Sequence, residues 1–402
     1  MTSVQFEGPQ PSVGLWPQRR RHHKGLGHAL SIEDLRHQAL RRLPRINAEY
    51  LEGGSEDEHS LQGNRRAFDA AHFAPRVLRD VSSVDLTRNI LGKRHALPFA
   101  IAPTGFNGLL WHQGDRALAQ AAAQAGIAFC QSTVSNMALS EMTDVQGLRH
   151  WFQLYLYGDE DIWGQLMGQA AQAGCDVLLL TVDSPVHGHR EWDRRNYRAG
   201  FVPRLSSKID MLCHPRWMWQ VMRHGLPSFP NLTQFVAPDR RDLYGVASWA
   251  LAHQVPSTNW ATVARIRALW PGKLLIKGVG HLDDVRLARD AGLDGVVLSN
   301  HGGRQLDRAA SPLQLLRQAR AQVGQDFGLL VDSGFRRGSD IIQALALGAD
   351  AVLLGRAMLY GLAAGGQAGV ERAIGIVAAE IARTLALLGV RSVDELDMEI
   401  FS

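Results

Sequence analysis

The chain has 402 residues, 46% hydrophobic and 20% charged, and its 43 Lys+Arg against 39 Asp+Glu leave a formal net charge of +4. That balance is globular and excludes a disordered tail protein or a disulfide-stapled miniature, while the length admits two or three ordinary domains or one large α/β barrel with additions. Cys130, Cys175 and Cys213 are too few for a disulfide framework, and no apolar run reaches the roughly 18 residues of a spanning helix, so a reduced, cytoplasmic-side protein is expected.

Residues 1–30 carry Arg19, Arg20, Arg21 and Lys24 against Glu7 among Gly, Pro, Gln and His, which reads as a flexible basic arm. Ser31-Ile-Glu-Asp-Leu then opens a helix, with an N-cap serine and acids in the first turn. A second helix runs into Tyr50-Leu-Glu-Gly-Gly, where the glycines stop it. From Pro98 the pattern becomes rhythmic. Short apolar runs recur at 98–102, 127–131, 151–155, 177–182, 273–277, 295–299, 328–331 and 351–354. Each is followed by a polar or glycine-bearing turn and a helical stretch, several of which end in Ala-Gly or Leu-Gly, the residue suited to a left-handed helix end. Continuous apolar strands alternating with helices predict a parallel sheet, and eight such units predict a TIM (β/α)8 barrel over 31–395 with an N-terminal helical lead-in.

One connection breaks the rhythm. About ninety residues separate Asp183 from Lys273, where a plain unit needs far fewer. Trp260–Leu269 reads as the regular helix, so the excess is an insertion after the fourth strand. Its segment 198–236 carries a net charge of +4 and the arm carries +3, which leaves −3 on the body.

In such barrels the chemistry sits at the C-terminal ends of the strands. Those ends here read Pro103-Thr104-Gly105, Ser132-Thr133, Gln153 and Tyr155, Thr181 and Asp183, Lys277, Ser299-Asn300-His301, Asp332-Ser333-Gly334 and Gly355-Arg356. The last two sets, with Arg336, have the composition of a phosphate cradle: glycines that admit backbone N–H groups and arginines that clamp. Lys277, at the end of an apolar run, suits either a Schiff base or the holding of negative charge on a cofactor ring. His301, with Asp183, Arg190 and Arg304 at neighbouring strand ends, suits removal of a proton from a substrate that bears a carboxylate. No G-x-G-x-x-G follows a strand, and neither a Walker A sequence nor H-E-x-x-H occurs, so a nicotinamide Rossmann domain and a metal hydrolase lose support. With an acidic body and no recognition motif, nucleic acid is not expected as a partner.

Ser299-Asn-His-Gly-Gly-Arg-Gln-Leu-Asp307, supported by Trp151-Phe-Gln-Leu-Tyr155, Thr181-Val-Asp183 and Asp332-Ser-Gly-Phe-Arg-Arg-Gly338, resembles the signature of the FMN-dependent 2-hydroxy acid dehydrogenases and oxidases. The likeness spans about 31 to 395, and Tyr50-Leu-Glu-Gly-Gly, Pro103-Thr-Gly-Phe-Asn-Gly and Cys213-His-Pro-Arg-Trp place it nearest the members that oxidise mandelate, with L-lactate next. The resemblance implies FMN as cofactor. It implies that His301 takes the proton, Asp183 stabilises the imidazolium, and Arg190, Arg304 and Tyr50 bind the substrate carboxylate. Tyr155 hydrogen-bonds the reacting oxygen, and Lys277 stabilises the reduced ring. Pro103, Thr104, Gly105, Ser132, Gln153, Thr181 and Ser299 would lie along the ring or ribityl chain. Asp332, Ser333, Gly334, Arg336, Gly355 and Arg356 would hold ribityl and phosphate.

Gly105 stands where oxidases of the family commonly have alanine, which points to a dehydrogenase. Val134, where glycolate oxidase has tryptophan, leaves room for a larger substituent. Tryptophans, methionines and cations mixed in 198–236 suit a segment in the headgroup region. Members with this insertion sit on the membrane and reduce quinone or another respiratory acceptor, so a peripheral protein on the cytoplasmic face of the inner membrane is expected, and a homo-oligomer, a tetramer. A Schiff-base aldolase, an oxidase using O2, and a non-enzymatic scaffold that docks through its basic segments stay open at this stage.

Overall fold

The computed structural model describes residues 25–198 and 202–402. Eight parallel strands close a barrel: Phe99–Ile101 (β1), Ala128–Ser132 (β2), Arg149–Leu154 (β3), Val177–Thr181 (β4), Lys273–Val279 (β5), Gly295–Leu298 (β6), Gly328–Val331 (β7) and Ala351–Leu354 (β8). Both faces of every strand are covered, which explains why the runs are uninterruptedly apolar. The period-two alternation sends Phe99, Phe129, Phe152, Leu178, Leu274 and Val296 outward to the helices. It sends Ala100, Cys130, Trp151, Val177, Leu275, Val297 and Leu330 inward as the barrel core. A short hairpin, Arg88–Ile90 with Lys93–His95, puts Ile90 among those inward residues and closes one end. The other end stays open.

The lead-in helix Ile32–Arg42 is capped by a reciprocal Ser31–Asp34 box and packs on the long C-terminal helix Arg356–Leu388. Of the arm expected at 1–30, residues 1–24 lie outside the described residues. Its last residues are not loose: Ala29 is fully buried, and its carbonyl accepts from Arg372. At the far end Ile400 is buried and Phe401 stacks on Phe73, so the barrel domain runs past 395.

The insertion after β4 folds into short helices, chiefly Leu205–Leu212, Pro215–His224 and Leu243–Ala252, before the regular helix Trp260–Leu269. Prolines at the first helical turn start Pro215–His224 and Pro230–Thr233. Trp217 Nε1 donates to the Leu109 carbonyl at 2.8 Å, and Asn231 Oδ1 accepts from Leu139 N at 3.0 Å. These bonds seat the insertion over the loops after β1 and β2, so it roofs the open end.

Candidate active site

The alternation that builds the barrel core also builds the site. Two residues beyond the inward Cys130, Val177, Leu275, Leu330 and Leu353 come Ser132, Leu179, Lys277, Asp332 and Gly355. Gln153 follows Trp151 in the same way, and Thr181 follows Leu179. Register pairs Ser132 with Gln153 and Thr181 with Lys277. These ends open into a cavity of about 880 Å3. It is lined by Tyr50, Pro103, Thr104, Gly105, Ser132, Gln153, Tyr155, Thr181, Arg190, Lys277, His301, Arg304, Asp332, Ser333, Gly334, Arg336, Gly355 and Arg356. Asp183 and Ser299 are the sequence-predicted residues that do not line it. Both stand behind side chains that do.

His301 is the centre of one side. Its Nδ1 lies 3.0 and 3.1 Å from the two oxygens of Asp183, 118 residues earlier in the chain. An ionised carboxylate only accepts, so Nδ1 is the nitrogen that donates to Asp183, and Nε2 faces Tyr155 Oη at 3.3 Å. Burial works against the Asp183 carboxylate, but His301, Lys277 and the Ser184 hydroxyl together outweigh it and hold its pKa below the ordinary value. The register of β5 shifts between Lys277 and Val279. Gly278, at φ +106°, has no side chain there, and a Cβ would stand 2.5 Å from Asp183 Cβ. The bulge therefore makes room for the carboxylate behind His301. His301 itself sits at φ +57°, held by a bond from its N–H to Ser299 Oγ at 3.0 Å.

Two arginines converge beside it. The guanidinium carbons of Arg304 and Arg190 lie 5.0 and 5.7 Å from the centre of the Tyr50 ring. Arg304 donates to the carbonyls of Tyr50 and Gly53, which locks its position. Burial, reinforced by the like charge of Arg190, pushes the Arg304 guanidinium down to about 9. An anion placed between the two arginines would relieve that repulsion. Tyr50 Oη donates to the Gly105 carbonyl at 3.3 Å, which joins the carboxylate side to β1.

On the other side Lys277 Nζ, fully buried, pairs with Asp332 Oδ2 at 2.8 Å and donates to Ser299 Oγ at 3.1 Å. Burial disfavours the ammonium, yet Asp332 and Asp183 raise its pKa above the ordinary value. A lysine held charged by two carboxylates is a poor Schiff-base nucleophile, which counts against the aldolase reading. Ser132 Oγ donates to Gln153 Oε1 at 2.7 Å, and Gln153 Nε2 donates to Thr181 Oγ1 at 2.9 Å, forming a polar chain along the cavity wall. Arg336 stacks over the Tyr360 ring at 5.4 Å, close to the start of the helix Arg356–Leu388. Arg356 is already engaged, donating to the carbonyls of Leu51, Gly302 and Gly53. Its side chain ties the lead-in to the His301 loop.

Sequence reading missed several groups in and around the cavity. Gln305 donates to the Asp183 carbonyl and accepts from Gly188 N, both at 2.9 Å, coupling the Asp183 and Arg304 loops. Its place inside the 299–307 string was the available signal. Asn64 and Asn300 exchange reciprocal amide bonds at 2.8 and 2.7 Å across 236 residues, which no local pattern marks. Phe106, Leu109, Trp217, Met218 and Phe229 add apolar surface to the cavity lining, and three of them belong to the insertion.

The profile of the family described as FMN-dependent dehydrogenase matches residues 39–402. The chain belongs to that family. It is an FMN flavoprotein and an oxidoreductase of the 2-hydroxy acid dehydrogenase class. The (S)-mandelate dehydrogenase of Pseudomonas putida is 45% identical over 361 residues, covering 89% of this chain and 90% of its own. An L-lactate dehydrogenase of Caulobacter vibrioides is 38% identical over 375 residues, covering 92% and 97%. The crystal structure of the monotopic membrane protein (S)-mandelate dehydrogenase aligns with a TM-score of 0.89 at 42% identity, over 93% of this chain and 99% of that one.

The residues present fit FMN. The positive end of Arg356–Leu388 with Arg336 suits a phosphate, the Ser132–Gln153–Thr181 chain offers polar atoms for a heteroaromatic edge, and buried Lys277 suits developing negative charge. Among the described residues no helix is long and apolar enough to cross a membrane.

Proposed function

We propose that this FMN-dependent dehydrogenase oxidises (S)-mandelate to benzoylformate, with L-lactate as the second substrate to test. The observation that carries the reading is the set of Arg190 and Arg304 flanking Tyr50 beside the His301–Asp183 pair. In this reading the two guanidinium groups hold the substrate carboxylate, and Tyr155 Oη and His301 Nε2 meet the hydroxyl at C2. His301 takes a proton, and Asp183 stabilises the imidazolium that results. Bound FMN supplies the acceptor for the two electrons that leave the substrate. Arg304 and Arg190, fixed before substrate arrives, lower the entropic cost of aligning a poor carbon acid with its base. Val134, Phe106, Leu109 and Phe229 line the cavity and offer apolar surface to a phenyl substituent. Thr104, Gly105, Ser132, Gln153, Thr181 and Lys277 would hold the ring side of FMN, while Asp332, Ser333, Gly334, Arg336 and Gly355 would hold the ribityl and phosphate side. Pro103 shapes the wall, Ser299 orients Lys277 and His301, and Arg356 acts through the loops it ties.

The electrons pass to a membrane quinone or other respiratory acceptor rather than to O2. The enzyme sits peripherally on the cytoplasmic face through 198–236, as a homotetramer. The support is the exposed outer face of the insertion, where Leu205, Ile209, Leu212, Trp219 and Met222 stand among cations. Anaerobic bleaching of the flavin absorbance by (S)-mandelate and L-lactate tests the substrate reading. Mandelate is expected to give the higher kcat/KM, and a preference for lactate would overturn it. Rapid peroxide formation in air would overturn the dehydrogenase assignment.

A further inference from the structure

The insertion helix Pro215–His224 has one more face to account for. Trp217 points into the fold, and Trp219 and Met222 point outward, 57% and 71% exposed. Between these faces, Arg216, Gln220 and His224 stand four residues apart and form one row along the helix. That row meets Arg42, the last residue of Ile32–Arg42, and Trp111–His112 in the loop after β1. The Arg42 guanidinium lies 3.7 Å over the centre of the Trp111 ring, which fixes its plane, and its Nη2 reaches Gln220 Oε1 at 3.4 Å. The rings of His112 and His224 stack at 3.8 Å and 14°.

This seam gathers two arginines and two histidines, and no ion pair of the described residues joins any of them to a carboxylate. Asp210, the acid of the segment, is taken by the backbone N–H of Arg45 and by His214. Arg42 Nε is buried with no hydrogen-bond partner among the described residues. Burial and the like charge of Arg216 push the Arg42 guanidinium down to about 10, and burial with His224 lowers the pKa of His112. An oriented guanidinium beside a second arginine, with neither paired to a carboxylate among the described residues, is complementary to a tetrahedral oxyanion, whose oxygens accept several charge-assisted bonds at once.

We infer that this seam binds the phosphate group of an anionic phospholipid, held by Arg42 and Arg216 with His112, His224 and Gln220 at its rim. The assignment rests on the peripheral membrane reading above. It adds to that reading a defined headgroup site beside the apolar residues Trp219 and Met222 of the same helix. A free phosphate would offer the same oxygens, so the test separates the two sources.

The holoenzyme is mixed with vesicles of phosphatidylcholine alone and of phosphatidylcholine with one-third phosphatidylglycerol, and the bound fraction is measured by sedimentation. Arg42→Met, which keeps the aliphatic stem over Trp111, and Arg216→Gln, at an exposed position, are each expected to weaken binding to the anionic vesicles about tenfold or more. Arg223→Gln, an exposed arginine of the same helix outside the seam, is expected to weaken it about twofold at most. Dye-linked activity in detergent should be unchanged in all three and shows that each is folded. Equal losses in the three variants would overturn the site in favour of diffuse attraction, with the membrane reading intact. A Tm rise with inorganic phosphate that disappears in Arg42→Met, combined with unaltered vesicle binding, would overturn the lipid source. Failure of the full-length enzyme to bind either vesicle would overturn the membrane reading itself.

Discussion

Replacing Asp183 by Asn isolates what a buried carboxylate contributes to His301. The substitution keeps the size of the side chain and one acceptor oxygen, but it removes the negative charge that lies 3.0 and 3.1 Å from Nδ1. When His301 takes a proton, its positive charge is spread over the ring, about 4 Å from the carboxylate centre. At that separation and an effective dielectric constant of about 20, the lost attraction is about 4 kcal/mol. At about 1.4 kcal/mol per power of ten, kcat is expected to fall about 10^3-fold. Arg190 and Arg304 are untouched, so KM should change severalfold at most. Lys277 keeps Asp332 at 2.8 Å, so the flavin should stay bound. The assay is single-turnover flavin bleaching under anaerobic conditions, with the visible spectrum and Tm as controls. A kcat within tenfold of the parent enzyme, with flavin content and Tm preserved, would refute the assignment of His301 and Asp183 as base and stabiliser.

Two further outcomes are expected. His95 and His150 are held at about 4 by burial, below the ordinary 6.5, so they fold neutral. The stability each contributes is complete above pH 6.5 and is lost as pH falls toward 4, up to about 3 kcal/mol apiece. His95→Phe, at a ring packed edge-on to Trp151, should therefore flatten the decline of Tm between pH 6.5 and 4, and an equally steep decline would refute this account. A Cβ on Gly188 would stand 2.6 Å from Ser55 Oγ and 2.9 Å from Gln305 Cα, and closer still to the Arg304 carbonyl. Gly188→Ala should displace the Arg304 loop and raise KM for the hydroxy acid about tenfold or more while FMN absorbance persists, and an unchanged KM would show that this loop does not set the carboxylate anchor.

Much of the molecule was legible before folding because the signals are local or periodic. All eight barrel strands lie within the apolar runs or a residue or two of them, since a strand covered on both faces needs every residue apolar. Ser31 announces the first helix through its own side chain, and Trp260–Leu269 coincides with the stretch read as the regular helix. The strand-end residues were legible for the same reason: period-two geometry turns an apolar inward row into a polar one at the open end. The limits of the arm were less so, because whether Ala29 is buried depends on Arg372, 343 residues away.

The sequence by itself determined the order of strands and helices, the excess length after β4, where the positive charge is concentrated, and which residue types reach the barrel mouth. Those properties follow from spacing and composition along one dimension. The tertiary structure alone decided that His301 leans on Asp183 and that Arg190 and Arg304 share Tyr50. It also decided that Asp332 keeps Lys277 charged, and that the basic insertion, with net +4 over 198–236, has two faces. Its inner face, with Trp217 and Phe229, roofs the site, and its outer face exposes Trp219 and Met222. Each of these depends on groups far apart in the chain that meet only when the barrel closes, and their charges, pKa values and partners are properties of that meeting.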